Sequence, residues 1–231
     1  MNKLTYQPLE YIKVTRPVSR IDYVVDNCRS KRVLDLGCWD ETALYKKETP
    51  FWLHDRIKKV AKSVIGIDSS PSLPNGGIHL GNSTILKGSV TDKQLISKFD
   101  IDVIVAGELI EHLPNTFEFF LLLKEVHPGK RFLCTTPNAT SLSNIILGIF
   151  KRESTHQDHL SIYSYKTLNT ICKKANVSSY ELFPYYVKYS EMRTQSKGYK
   201  KLLVQFAEKS INIAETISPL LSGGFIIDAI L

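Results

Sequence analysis

The 231-residue sequence has four cysteines, Cys28, Cys38, Cys134 and Cys172, and no Cys-x-x-Cys spacing among them. That argues against a structural zinc knot and against a disulfide framework, and it marks the thiols as reduced packing residues. No apolar run approaches the roughly 20 residues that a spanning helix needs. The opening residues Met1-Asn2-Lys3-Leu4-Thr5 lack the apolar core of a secretion signal, so the expected location is cytoplasmic. No Gly-x-Gly-x-x-Gly occurs after a strand candidate. The backbone cradle that a dinucleotide pyrophosphate needs is therefore missing, which disfavours an NAD oxidoreductase. Internal repeats and low-complexity tracts are absent too.

What is present is a basic chain, with a net charge of +7 and 43% hydrophobic residues. The hydrophobic share is enough for a sizeable core. The charge would suit nucleic acid, anionic lipid or a phosphorylated substrate, although lysines spread along a chain also describe a generally basic soluble protein. The densest cluster, Lys188, Arg193, Lys197, Lys200 and Lys201, is interleaved with Tyr185, Tyr186, Tyr189 and Tyr199. Such a mixture can hold nucleic acid or a sugar face, or form a solvated approach to a helix with the tyrosines packed at a sheet edge.

Short β-branched runs alternate with helical patterns. Strands are expected at 31–36, 63–68, 84–88, 101–107, 130–135, 177–183 and 224–230. Helices are expected at 17–28, 51–62, 116–126, 165–175 and 200–217, the last with Leu203, Phe206, Ile213 and Ile217 on one face. This order predicts an α/β fold: a doubly wound, mostly parallel, Rossmann-like sheet with helices on both faces and the last strand antiparallel. One domain spans 1–231, with 1–29 as a helical lead-in. Residues 139–165, between the fifth strand and the next helix, read as a lid or acceptor-binding insertion.

Three strand ends carry the chemistry. The first run ends in Asp35-Leu36-Gly37-Cys38, the second in Asp68, and the third in Gly107-Glu108-Leu109-Ile110-Glu111-His112-Leu113-Pro114-Asn115. Glycine or acid at adjacent strand tips describes a nucleoside pocket at the carboxyl edge of a parallel sheet. Gly37 allows close backbone approach, and Asp68 can accept from ribose hydroxyls. Without a phosphate cradle, the pocket favours an adenosine bearing an amino acid. Trp39 and Trp52 are placed near its entrance, while His54, His79 and His127 read as surface residues.

Together with Phe132-Leu133-Cys134-Thr135-Thr136-Pro137-Asn138, these motifs resemble class I S-adenosylmethionine-dependent methyltransferases over residues 30–170, of the bacterial type that acts on glycans or small molecules. The resemblance implies a seven-stranded sheet and S-adenosyl-L-methionine as cofactor. It places Asp35, Gly37 and Cys38 near the methionine part, Asp68 and Ser69 at the ribose, and Glu108 near the sulfonium. Two departures stand out. Trp39 or Asp40 replaces the second glycine of the first motif, and Gly88-Ser89-Val90 lacks the acid often found beside adenine, with Asp92 following late.

For the acceptor, Glu111, His112 and His159 are the candidate catalytic residues, since a hydroxyl acceptor gains from a base. His156 is a further candidate. If one helical turn starts at Gly107, then Glu108, Glu111 and His112 share a face. With His159 they could ligate a divalent ion, a set that resembles small-RNA 2′-O-methyltransferases, as do Thr136-Pro137-Asn138 and Asp158-His159. Leu160-Ser161-Ile162-Tyr163 departs from that group, and metal-free methyltransferases share the Glu-x-x-Glu-His pattern. The expected partner is a small-molecule or glycan acceptor methylated on oxygen. RNA 2′-O-methylation and a non-catalytic binding protein are the alternatives.

Overall fold

The computed structural model describes residues 9–39, 49 and 51–231. Its centre is an eight-stranded sheet: β1 (Arg32–Leu36), β2 (Ser63–Asp68), β3 (Ile78–Leu80), β4 (Ser83–Lys87), β5 (Val103–Gly107), β6 (Arg131–Pro137), β7 (Ser179–Tyr185) and β8 (Gly224–Ile230), in the order β3-β4-β2-β1-β5-β6-β8-β7. Every expected strand is present. The eighth is the three-residue β3, which pairs antiparallel with β4; it is too short and too exposed to carry a periodic signal. β8 runs antiparallel between β6 and β7.

Around the sheet lie α1 (Arg20–Asn27), α2 (Leu53–Lys58), α3 (Lys93–Ile96), α4 (Thr116–Val126), α5 (Leu142–Ile149), α6 (Tyr165–Lys174), α7 (Ser190–Gln195) and α8 (Tyr199–Ile217). Alternation along the strands sorts two cores. Val33, Val103, Val105 and Leu133 face α1 and α2, packing on Val24, Val25 and Ile57. Leu34, Leu36, Ile104, Ala106, Phe132 and Cys134 face the other layer, with Phe119, Phe120 and Leu123 of α4 and Leu168 and Cys172 of α6. Strands buried on both faces have no polar side, which is why they read as continuous apolar runs. All four cysteines are free and buried.

Helix α4 shows the local logic. The Asn115 side chain accepts from the Glu118 backbone N–H and caps the first turn. Thr116, Phe119, Phe120 and Leu123 then recur on the buried face. Each large apolar side chain so buried contributes about 1.5–3 kcal/mol.

Within residues 1–29, helix is confined among the described residues to Arg20–Asn27. Residues 139–165 contain α5 and then an irregular stretch pinned near its C-terminal end. Ala139 N–H donates to Tyr163 O (2.8 Å), and Leu160 N–H donates to Glu111 O (2.8 Å).

The chain steps from β1 outward through β2 to β4, then returns to the other side of β1 as β5. This reversal opens a crevice at the carboxyl ends of β1 and β5, where a doubly wound sheet binds its ligand.

Candidate active site

A cavity of about 890 Å³ occupies that crevice. Asp35 of β1 with Gly37 and Cys38 just after it, Asp68 of β2 with Ser69 just after it, and Glu108 just after β5 all line it. His112 and His159, the latter from the irregular stretch, line the same cavity, as do Trp39 and Trp52. Asp40 lies outside the described residues. Glu111 is not in the wall.

Gly37 has φ +70°, and a Cβ there would stand 2.7 Å from Leu109 Cδ1. Packing by Leu109, as much as ligand approach, requires glycine at this position. The Asp68 carboxylate is oriented at the wall by two backbone donors, Trp39 N–H at 2.9 Å and Ser70 N–H at 2.8 Å. The Trp39 and Trp52 rings meet edge to face, with centroids 5.8 Å apart. Trp52 Nε1 donates to Cys38 O at 2.9 Å and fixes the loop after β1.

Asp35 is buried and tied to a residue that the sequence reading put on the surface. His54 Nδ1 lies 2.8 Å from Asp35 Oδ2, and its Nε2 lies 2.8 Å from Ser83 Oγ. His54 is buried and lines the cavity. The signal was its position three residues before Ile57 on the inward face of α2. His127 is buried as well, with Nε2 donating to Ile96 O at 3.0 Å. Burial holds its imidazole below the usual histidine range. Asp92 caps α3 by accepting from Gln94 and Leu95 N–H, so it serves that helix. Ser89, Val90 and Thr91 line the cavity in its stead.

Glu108 sits at φ +54°, a left-handed conformation that costs a non-glycine residue about 1–3 kcal/mol. Its Oε1 accepts from Tyr185 OH (2.8 Å) and Thr135 Oγ1 (3.0 Å), with Arg20 at 3.5 Å. Arg20 and Tyr185 are site residues that sequence reasoning missed as such, because both reach Glu108 from distant segments.

The turn after Glu108 is a 3-10 helix, Ile110–His112, rather than an α-helical turn from Gly107. This overturns the expected common face. Glu108 turns toward Arg20 and Tyr185, whereas ligand atoms of Glu111, His112 and His159 lie within 4.8 Å of one another. Glu111 is 1% exposed, behind the cavity wall. Thr136 Oγ1 donates to its Oε2 (2.9 Å), and its Oε1 has no hydrogen-bond partner among the described residues. Burial and the nearby Glu108 push its carboxyl well above the usual range. His112 Nδ1 lies 3.2 Å from Asp158 O. A carbonyl only accepts, so Nδ1 is the donor in this contact. The His112 and His159 rings meet edge to face at 4.6 Å, with His156 alongside at 6.2 Å from His112. Burial, His112 and His156 together hold His159 below the usual histidine range.

Thr136-Pro137-Asn138 has a structural part in this. Thr136 holds Glu111, and Asn138 Nδ2 donates to Leu220 O and Ser222 O at 2.8 and 2.9 Å. The end of β6 is thereby locked to the segment that enters β8.

Residues 12–181 match the family described as methyltransferase domain. Among solved structures, the chain is similar to a SAM-dependent methyltransferase from Archaeoglobus fulgidus (18% identity, TM-score 0.53, 91% of this chain and 90% of that one). It is similar to the methyltransferase solved in complex with the Trm112 activator of Haloferax volcanii (11%, 0.57, 91% and 88%). The small RNA methyltransferase HEN1 is also similar (17%, 0.58), covering 97% of this chain and 27% of that protein. No curated protein matches the chain in sequence. On the family match, the chain belongs to the methyltransferase domain family.

Proposed function

We propose that this protein transfers the methyl group of S-adenosylmethionine to a hydroxyl oxygen of a sugar or similar small polar acceptor. The observation that carries the reading is the sign of the cavity wall. Asp35, Asp68 and Glu108 stand at three neighbouring strand ends, Asp158 joins them, and Arg20 is the one lysine or arginine among the described lining residues. Such a wall attracts a sulfonium and an ammonium group and repels pyrophosphate and polyanions. It therefore favours a cationic donor without phosphates and a neutral acceptor over RNA.

In this reading Asp68 accepts from the ribose hydroxyls, and Ser89, Val90 and Thr91 flank the adenine. Glu108, held by Tyr185, Thr135 and Arg20, lies toward the sulfonium. When bound, S-adenosylmethionine would supply an activated methyl group to the acceptor oxygen, its carbon–sulfur bond breaking to leave the neutral thioether S-adenosylhomocysteine. His112 Nε2 would take the hydroxyl proton. Asp158 O fixes the ring that receives it. Much of the acceleration comes from alignment, because the donor is already activated.

A second reading of the same site is favoured by the unpartnered Oε1 of Glu111 beside His112 and His159. Two imidazoles and a carboxylate suit a divalent ion, and the missing partner of Oε1 is what an ion would supply. When bound, it would lend Lewis acidity to the acceptor hydroxyl. Glu111, His112 and His159 would hold it, and Glu108 would stay with Arg20 and Tyr185.

The test is transfer of isotope-labelled methyl groups to a panel of neutral glycosides and to short RNA, with and without chelator. Label on the glycosides supports the proposal. Label on RNA alone would overturn the acceptor assignment, and loss of transfer with chelator selects the metal-assisted form.

A further inference from the structure

Helix α8 is turned inside out. Its apolar residues Tyr199, Leu202, Leu203, Phe206, Ile213 and Ile217 recur at helical spacing, the arrangement that normally faces a core. Here all six are exposed, Phe206 by 72% and Ile217 by 81%. The residues that α8 buries are its two acids, Glu208 and Glu215.

Those acids fix the rotation of the helix. Glu208 Oε2 accepts from Tyr189 N–H at 2.8 Å, and its Oε1 faces Arg193 at 3.4 Å. Glu215 accepts from Val187 N–H through both oxygens, at 3.3 and 3.2 Å. Turning the apolar stripe inward would strip both carboxylates of these partners, so the outward stripe is built in.

The neighbouring helix repeats the pattern. α5 packs against α8 and has no fully buried residue. Ile145, Ile146, Ile149 and Phe150 are exposed, Ile149 by 73%. Exposed apolar side chains in this number on two helices in contact are unusual on a protein that stays alone in water.

Charge identifies what would cover it. With both acids turned inward, the exposed charges of α8 are lysines only, Lys200, Lys201 and Lys209. Lys197 precedes the helix, and Lys151 and Arg152, both exposed, follow α5. A second copy packed on this face about a two-fold axis would set lysines against lysines. No helix among the described residues is long and apolar enough to cross a membrane. An exposed apolar stripe flanked by cations is how a helix lies in the plane of an anionic bilayer.

We propose that the α5–α8 face rests on an anionic lipid surface, with the apolar stripe at the acyl boundary and the flanking lysines on the headgroups. Both helices adjoin the catalytic edge of the sheet: α5 follows the carboxyl end of β6, and the segment after α8 enters β8 opposite Pro137. The cavity would then open close to the membrane plane.

Flotation of the full chain with vesicles tests this, comparing phosphatidylcholine with the same lipid containing about 30% phosphatidylglycerol. The wild type is expected to float with the anionic vesicles and to release as salt rises. Leu203→Ser/Phe206→Ser/Ile213→Ser and, separately, Lys200→Glu/Lys201→Glu should each reduce bound protein roughly tenfold with an unchanged thermal melt. The substituted side chains are exposed, so the fold should be unaffected. Absence of flotation, or equal flotation of wild type and variants, would overturn the proposal. So would a wild-type dimer that the serine substitutions dissociate while no vesicle binding occurs, which would assign the face to a second copy.

Discussion

Glu111 and Glu215 are both 1% exposed, and burial raises both carboxyls. Their surroundings differ. Glu215 is engaged through both oxygens by the Val187 N–H, whereas Glu111 keeps one oxygen on Thr136 and the other on nothing described. Glu215 is a peg that sets the rotation of α8. Glu111 is half satisfied in a place where His112 and His159 converge, the place where the metal-assisted reading proposed above would put an ion. Burial and a raised pKa alone therefore do not separate a structural acid from a functional one.

The contrast can be broken at several points. The largest effect is expected at His112: in steady-state kinetics His112→Ala should lower turnover about 10²–10⁴-fold, the range of a lost general base, with the KM for cofactor little changed. An equal rise in that KM would move His112 to the cofactor end of the cavity. Glu111→Gln keeps the shape and removes the group's capacity to ionise and to bind a metal as a carboxylate. It should lower turnover about 10–100-fold and leave the melting temperature near that of the wild type, since an orienting or metal-holding group is lost without a cavity. Unchanged turnover would make Glu111 a peg like Glu215.

Glu215→Gln should do the reverse, sparing turnover and changing the pH dependence of stability. The folded state raises this carboxyl from 4.5 to about 7. It binds its proton more tightly than the unfolded chain does, so its contribution is fully present below pH 4.5 and is lost as pH rises through about 7. At pH 8 the glutamine variant should exceed the wild type in denaturant unfolding by on the order of 2 kcal/mol, and near pH 4 the two should converge. A constant difference across that window would mean that the carboxylate stays ionised in the folded state.

Much of this was legible in the sequence, and the exceptions have physical reasons. The strand ends at Asp35, Asp68 and Gly107 were readable because short continuous apolar runs end there in an acid or a glycine. The full extent of α4 was readable from Pro114-Asn115 and the i, i+3, i+4 apolar pattern. β3 was missed because three half-exposed residues carry no period. The turn at Ile110–His112 was misread because Glu-x-x-Glu-His fits an α-helical turn as well as a 3-10 turn, and the positive φ of Glu108 has no signature in its own side chain. His54 was misplaced because its partners, Asp35 and Ser83, come from other strands. For α8 the shared face was readable from the period and its direction was not: an apolar stripe says which residues share a face, while the buried Glu208 and Glu215 decide where that face points.

The most direct measurement is calorimetric titration of S-adenosylhomocysteine into the wild type and Asp68→Ala. The account predicts one site on the wild type and a loss of about 1–3 kcal/mol in the variant, the scale of hydrogen bonds to a charged acceptor. No binding to the wild type, or equal affinity in both proteins, would contradict it.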